Sequence, residues 1–158
     1  MSIFRDIGAQ TNAAFMLIPV SITSSGQAST AAVEVSGPAF DRFTFSSRHL
    51  SGSLLVPHQI VLTSGLDASL AANMQHADTT VSSDFSDLGS STHSLSYTGA
   101  TGGTTVEAVL KINLDLTMAK RYLRAQVTPG LGTTTTGAKT FKYGGVLVLG
   151  SADELPSS

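Results

Sequence analysis

The side chains in this 158-residue sequence that could do chemistry are four histidines, eleven carboxylates and a large number of serines. His49, His58, His76 and His93 are spaced so that none lies within four residues of another. That excludes the paired ligand spacings of zinc sites, and each reads as a surface or turn histidine. A serine nucleophile needs a strained elbow such as G-x-S-x-G, and no such pentad occurs. The serines read instead as turn and loop residues. Glycoside hydrolysis needs two carboxylates facing across a cleft. Before the C-terminal tail the only glutamates are Glu34 and Glu107, and Glu107 falls on the polar side of a strand. Asp78, Asp84 and Asp87 share one loop and could collect a calcium ion, but their spacing matches no EF-hand and a solvated loop is expected.

The glycine-rich segments 99–103 and 130–137 contain neither GxGxxG nor GxxxxGK[ST], so a phosphate cradle is not expected. There is no Trp and only Tyr97, Tyr122 and Tyr143, a poor supply of platforms for a sugar-binding sandwich. The absence of Cys excludes disulfides, Cys-ligated metals and thiol nucleophiles. No enzyme activity, cofactor or metal is expected.

Charge offers one local feature. Lys120, Arg121 and Arg124 surround Tyr122; on a strand, Lys120 and Arg124 share the face of Tyr122 and Arg121 takes the other. The patch is small and carries no RNP-like motif, and the net charge is −2, so nucleic acid is not an expected partner. Residues 49–110 contain no Lys or Arg but hold Asp67, Asp78, Asp84, Asp87 and Glu107. Residues 111–142 hold six cations against Asp115 alone. These blocks can pair within the fold, pair between copies, or stay solvated. The basic patch is thus expected to salt-bridge to the acidic half or to form the rim of a contact with a partner subunit.

The elements that position these residues are strands. Between positions 106 and 118, Val106, Ala108, Leu110, Ile112, Leu114, Leu116 and Met118 are apolar, and the residues between them are polar except Val109. A period of two places one set on the dry face of a sheet and the other on the wet face. Residues 15–23 alternate likewise, and Pro19 there predicts an edge position or a bulge. Further strands are expected at 31–35, 40–45, 95–98, 122–128 and 140–149. A turn is expected at 48–52, and around Pro57 either one kinked strand or two short ones. Residues 66–77 carry Leu66, Leu70 and Met74 at i, i+4, i+8 and read as a short helix capped by Ser64 or Asp67, or as an irregular loop. The segment 99–103 reads as a hairpin loop, and Pro129-Gly130 as a strand end. Val146 to Leu149 do not alternate, which means burial on both faces or an interface on one. The fold class is all-β: sequential antiparallel hairpins in a β-sandwich or jelly roll.

The length fits a single domain: an arm at 1–12 with apolar Ile3, Phe4 and Ile7, a β domain at 13–150, and a polar tail at 151–158. No signal peptide or membrane-length apolar run is visible, so cytosolic synthesis and no membrane association are expected. Charged residues make up only 13% of the chain, replaced by Ser, Thr, Gly and Ala. Such a surface suits life against other protein.

The stretch AKRYLRAQVTPG, the Gly/Thr loop after it, and YGGVLVLGSADELP resemble the ending of small virion proteins of tailed bacteriophages, with VLKINLDLTM fitting the strand before. The likeness covers roughly residues 106–156 and is to capsid cement or decoration proteins. It implies a structural role on the capsid lattice, partners among the major capsid protein or other virion proteins, and self-association as a dimer or trimer. It carries over no functional residues, because such proteins act through contact area. The interface expected here uses Ile3, Phe4 and Ile7 of the arm and the cations Lys120, Arg121 and Arg124. A tail or head–tail connector component and a carbohydrate- or receptor-binding sandwich are the alternatives.

Overall fold

The computed structural model describes residues 12–25, 33–44, 49–89, 91–131 and 138–152; Ile3, Phe4 and Ile7 of the expected arm lie outside these. Ten strands follow one another among the described residues. They are β1 (Asn12–Ser25), β2 (Val35–Ser36), β3 (Phe40–Asp41), β4 (His49–Leu62), β5 (Asp67–Ala77), β6 (Ser86–Asp87), β7 (His93–Thr98), β8 (Thr104–Asp115), β9 (Tyr122–Leu131) and β10 (Ala138–Ala152). A 3-10 turn lies at Ser82–Asp84.

Every pairing is antiparallel. One sheet runs β1-β10-β4-β8. The other runs β2-β9-β5, with β3 extending the β2 edge and β6 and β7 both lying along β5. Taking β2 and β3 as one interrupted strand, and β7 as the outer partner of β5, the eight principal strands interleave as two Greek keys, the jelly-roll order. Consecutive strands therefore often sit in different sheets, and the expected succession of hairpins does not form. Residues 99–103 cross from β7 in the second sheet to β8 in the first. Their Gly102 and Gly103 take φ of 90° and 92°, a left-handed conformation that suits glycine. The crossing from β4 to β5, at residues 63–66, is tied to this one by Gly65 N–H to Gly99 O and Gly99 N–H to Leu66 O, both 2.8 Å.

The core forms where the apolar sets of the two sheets meet. Leu54, Ile60, Ile112, Phe141 and Leu147 come from the first sheet, and Leu70, Met74, Leu123 and Val127 from the second; all are fully buried. In β8 the alternation appears as read, with Leu110, Ile112 and Leu114 inside, but the strand ends at Asp115 and Met118 stands exposed in the turn beyond. Pro19 sits in an edge strand whose register shifts twice, between Phe15 and Leu17 and between Leu17 and Val20.

Four local expectations are corrected. Residues 66–77 form no helix: Asp67–Ala77 is β5, with Ala68, Leu70, Ala72 and Met74 buried on one side. A spacing of four is even, so it keeps residues on one face of a strand as well as of a helix, and the small Ala68 and Ala72 complete the period of two. Residues 49–52 do not turn but open β4, which runs unbroken through Pro57. Pro57 pairs with Val109 across the ladder to β8. Having no N–H, it can do so only as a non-hydrogen-bonded pair. Pro129 does not end β9 either. It pairs with Leu70 in the same manner, and its missing N–H faces a side where no described strand lies. Of the strands expected at 31–35 and 40–45, only Val35–Ser36 and Phe40–Asp41 form among the described residues.

Candidate functional site

The chemistry-bearing residues are dispersed by this fold. Glu34 accepts a 2.6 Å hydrogen bond from Gln126 on the outer side of the second sheet. Glu107 accepts one from Gln59, also 2.6 Å, on the outer side of the first. The core separates these two carboxylates, so they face no common cleft. Asp78 pairs with Lys120 at 3.3 Å, Asp84 binds Thr79 and Ser83, and Asp87 accepts from Asn73 and Gln75. Among the described residues no group of three His, Cys, Asp or Glu side chains could hold a metal ion.

Two histidines are buried instead of lying at the surface. His58, on the inner face of β4, donates from Nδ1 to Val56 O at 3.0 Å. Its Nε2 therefore accepts the Tyr97 hydroxyl at 2.7 Å. Burial raises the Tyr97 phenol pKa. Tyr97 is thus spent on His58 and Tyr143 is buried, so neither is an open platform for a sugar. His49 receives the Asn12 amide at Nε2, 3.0 Å away. Burial, opposed by a backbone bond to Gly150 and reinforced by the nearby Arg42, holds its pKa below the ordinary value. Arg42, 0% exposed, donates to Leu116 O (2.9 Å), Ala119 O (2.7 Å) and His49 O (2.8 Å). It fastens the turn after β3 to the β8–β9 crossing and to the start of β4. Sequence reading missed it because a lone arginine near a turn reads as solvated.

The expected basic contact residues all engage side chains of the same chain. Lys120 reaches Asp78. Arg121 donates from Nε and Nη2 to Asp41 Oδ2, at 3.0 and 2.7 Å, and this lowers the Asp41 pKa. Arg124 binds Gln75 Oε1 and Ser82 Oγ, each at 2.8 Å, and lies 4.2 Å above the Phe85 ring centroid. The last set pins residues 82–85 over β9 and β5. The outer side of the second sheet is therefore a web of polar groups that largely satisfy one another.

The outer side of the first sheet is different. Alternation leaves Phe15, Leu55, Pro57, Val109, Val146 and Val148 pointing away from the core, and cross-strand register puts Phe15 beside Val146 and Val146 beside Leu55. Phe15 is 75% exposed, Ile18 in the bulge 78% and Val109 57%. A shallow depression of about 510 Å³ lies among Pro19, Pro57, Val109 and Gly144, rimmed by Glu107 and Lys142. The apolar surface continues across β1, β10, β4 and β8. Contiguous exposed apolar surface of this kind marks interaction sites.

No protein-family model and no curated protein matches the sequence. Solved structures do. A chain of the structure of infectious bursal disease virus Gx strain superposes with a TM-score of 0.50 at 8% identity, over 92% of this chain and 33% of that one. A chain of the infectious bursal disease virus VP2 subviral particle gives 0.42 at 11% identity, over 89% and 31%. Desmodium yellow mottle tymovirus gives 0.27 at 11%, over 93% of both chains. The chain thus spans about a third of the length of the first two. What the first likeness establishes is the fold: an all-β antiparallel sandwich of the kind found in a virus particle.

Proposed function

We propose that this chain is a non-enzymatic structural protein of a virion, and more narrowly a cement or decoration protein bound to the capsid lattice of a tailed bacteriophage. The observation that carries the reading is the apolar outer side of the β1-β10-β4-β8 sheet on a jelly-roll frame, a fold shared by viral capsid domains and lectins. The capsid part of the reading is supported by the fold likeness to a virus structure, and the phage part by the resemblance of residues 106–156 to cement proteins. The partners are the major capsid protein or other virion proteins and further copies of the chain. Each copy supplies modest contact, and a closed lattice multiplies it through avidity. Ile3, Phe4 and Ile7 of the arm extend this contact, and the cations Lys120, Arg121 and Arg124 offer a second, smaller contact on the opposite sheet; the arm at 1–12 and the tail at 151–158 flank the domain at 13–150.

The test is co-sedimentation of the purified chain with empty capsids of its source phage, followed by heating of the decorated particles. Saturable binding and a raised disruption temperature are expected, and a Phe15→Ser/Ile18→Ser variant with an unchanged melting profile should lose both. Absence of the chain from every virion layer, together with a glycan-array signal, would replace this reading with the receptor-binding one.

A further inference from the structure

We propose that the free edge of β8 pairs antiparallel with β8 of a second copy about a two-fold axis at Val109, making one continuous sheet across a dimer. The pairing depends on the strand edge alone and stands whether or not the chain is a virion protein.

Among the described residues, β8 ends its sheet, with β4 on one side and no strand on the other. All of it, from Thr104 opposite Leu62 to Asp115 opposite Ser51, is in unshifted register with β4. The backbone directions follow from Pro57. Because the Pro57–Val109 pair is non-hydrogen-bonded, the amide and carbonyl of Val109 point away from β4, and with them those of Glu107, Lys111 and Asn113. These groups form an open ladder. The other edges offer shorter or broken templates. β1 is broken by two register shifts and Pro19, β2, β3 and β6 are two residues long, and β7, the outer partner of β5, has six residues against the twelve of β8. Natural proteins blunt free edges by bulges, prolines and shortness, and β8 has none of these.

Lysine on an edge is a further blunting device, and Lys111 would serve as one if it met a like charge. Register decides otherwise. Glu107 and Lys111 are equidistant from Val109 on the same outer face, and both are exposed. An antiparallel copy centred on Val109 sets each Glu107 opposite the Lys111 of its mate and Val109 opposite Val109. Centring on Lys111 would oppose lysine to lysine and Glu107 to Asp115. On the inner face the same register sets Leu110 against Ala108 and Ile112 against the half-buried Val106, extending the core across the axis. The interface is self-complementary, as a two-fold contact must be.

Sedimentation equilibrium over a wide concentration range tests the proposal, with amide hydrogen exchange as a second readout. The expected result is a monomer–dimer equilibrium in which the amides of Val109 and Lys111 gain protection as the dimer forms. Lys111→Glu should weaken the dimer about tenfold or more, because it places like charges opposite twice. Glu107→Lys combined with Lys111→Glu should restore it. Both positions are solvent-facing, so circular dichroism should be unchanged. A monomer at every concentration would overturn the proposal, as would a dimer indifferent to Lys111→Glu. Protection of the Val109 amide in a monomer would also overturn it, because another segment of the same chain would then occupy the edge.

Discussion

The two outer sides of this sandwich use their residues in opposite ways. On the second sheet, built from the long β5 and β9 and several short pieces, charged and amide side chains bind one another: Arg124 with Gln75 and Ser82, Gln126 with Glu34, Asp87 with Asn73 and Gln75. On the first sheet the strands are long and backbone ladders hold them; beside the Gln59–Glu107 and Ser53–Asn113 bonds, apolar side chains face outward. Short strands make few ladder bonds, so they need side chains to fix them. Long ones do not, and their outer side is free to be selected for contact. The cations that stand out in the sequence thus bind within the chain, and the exposed apolar surface lies on the other side.

The largest effect should come from breaking the most deeply buried tie, Arg42, which the sequence does not single out. Arg42→Met removes the guanidinium and leaves the carbonyls of Leu116, Ala119 and His49 buried without that donor. A loss of about 3–5 kcal/mol in urea unfolding is expected, because each of three carbonyls loses a donor at roughly 1–3 kcal/mol and the desolvation of the guanidinium, no longer incurred, offsets part of the sum. A loss below about 1 kcal/mol would mean that the second sheet does not depend on this tie, and the contrast between the sheets would weaken.

Much of the fold was legible, for reasons that particular residues make plain. β8 was readable because five of its even positions, Val106, Ala108, Leu110, Ile112 and Leu114, are apolar and one side is wet. β5 was not, because Leu66, Leu70 and Met74 fit two periods equally and alanine is too weak a signal to choose between them. The crossings at 63–66 and 99–103 are invisible locally, since a glycine turn looks the same within a sheet and between sheets. The apolar outer side left a trace that was not assembled. Val109 was the lapse in an alternating strand and Val146 to Leu149 a run without alternation; Val109, Val146 and Val148 face outward while Leu147 and Leu149 are core, and the register between β8, β4 and β10 brings the three valines onto one surface. Arg42 left no trace, because nothing local distinguishes a buried arginine from a solvated one.

A moderate effect is expected from pH. His49 has its pKa lowered in the fold, chiefly by burial, so the unfolded chain binds a proton more readily. The neutral-histidine contribution is complete above the ordinary value of 6.5 and is lost as pH falls from there through the folded value. His76, lowered by burial and by Lys120, adds in the same direction. Asp41 and Asp115 are also lowered, but they act further down, below 3.8. Melting temperature should therefore fall between about pH 7.5 and about pH 5.5, and His49→Gln should flatten the fall without abolishing it. An unchanged slope in the variant would remove His49 from the acid response.

The smallest effect sharpens the comparison most. Lys120 and Asp78 are solvent-exposed, with side chains 42% and 72% accessible. Exposed pairs contribute little, so Lys120→Ala should cost no more than about 0.5 kcal/mol in urea unfolding. Phe15→Ser should cost about as little, because the ring is already three-quarters exposed and its transfer to water is nearly complete in the folded state. Stability alone would not distinguish the two substitutions. Assembly would. If contact runs through the apolar side, Phe15→Ser abolishes capsid binding and Lys120→Ala leaves most of it. If the rim cations carry the contact, the order reverses and binding becomes strongly salt-dependent, since exposed charges are screened at high ionic strength and apolar contact is not.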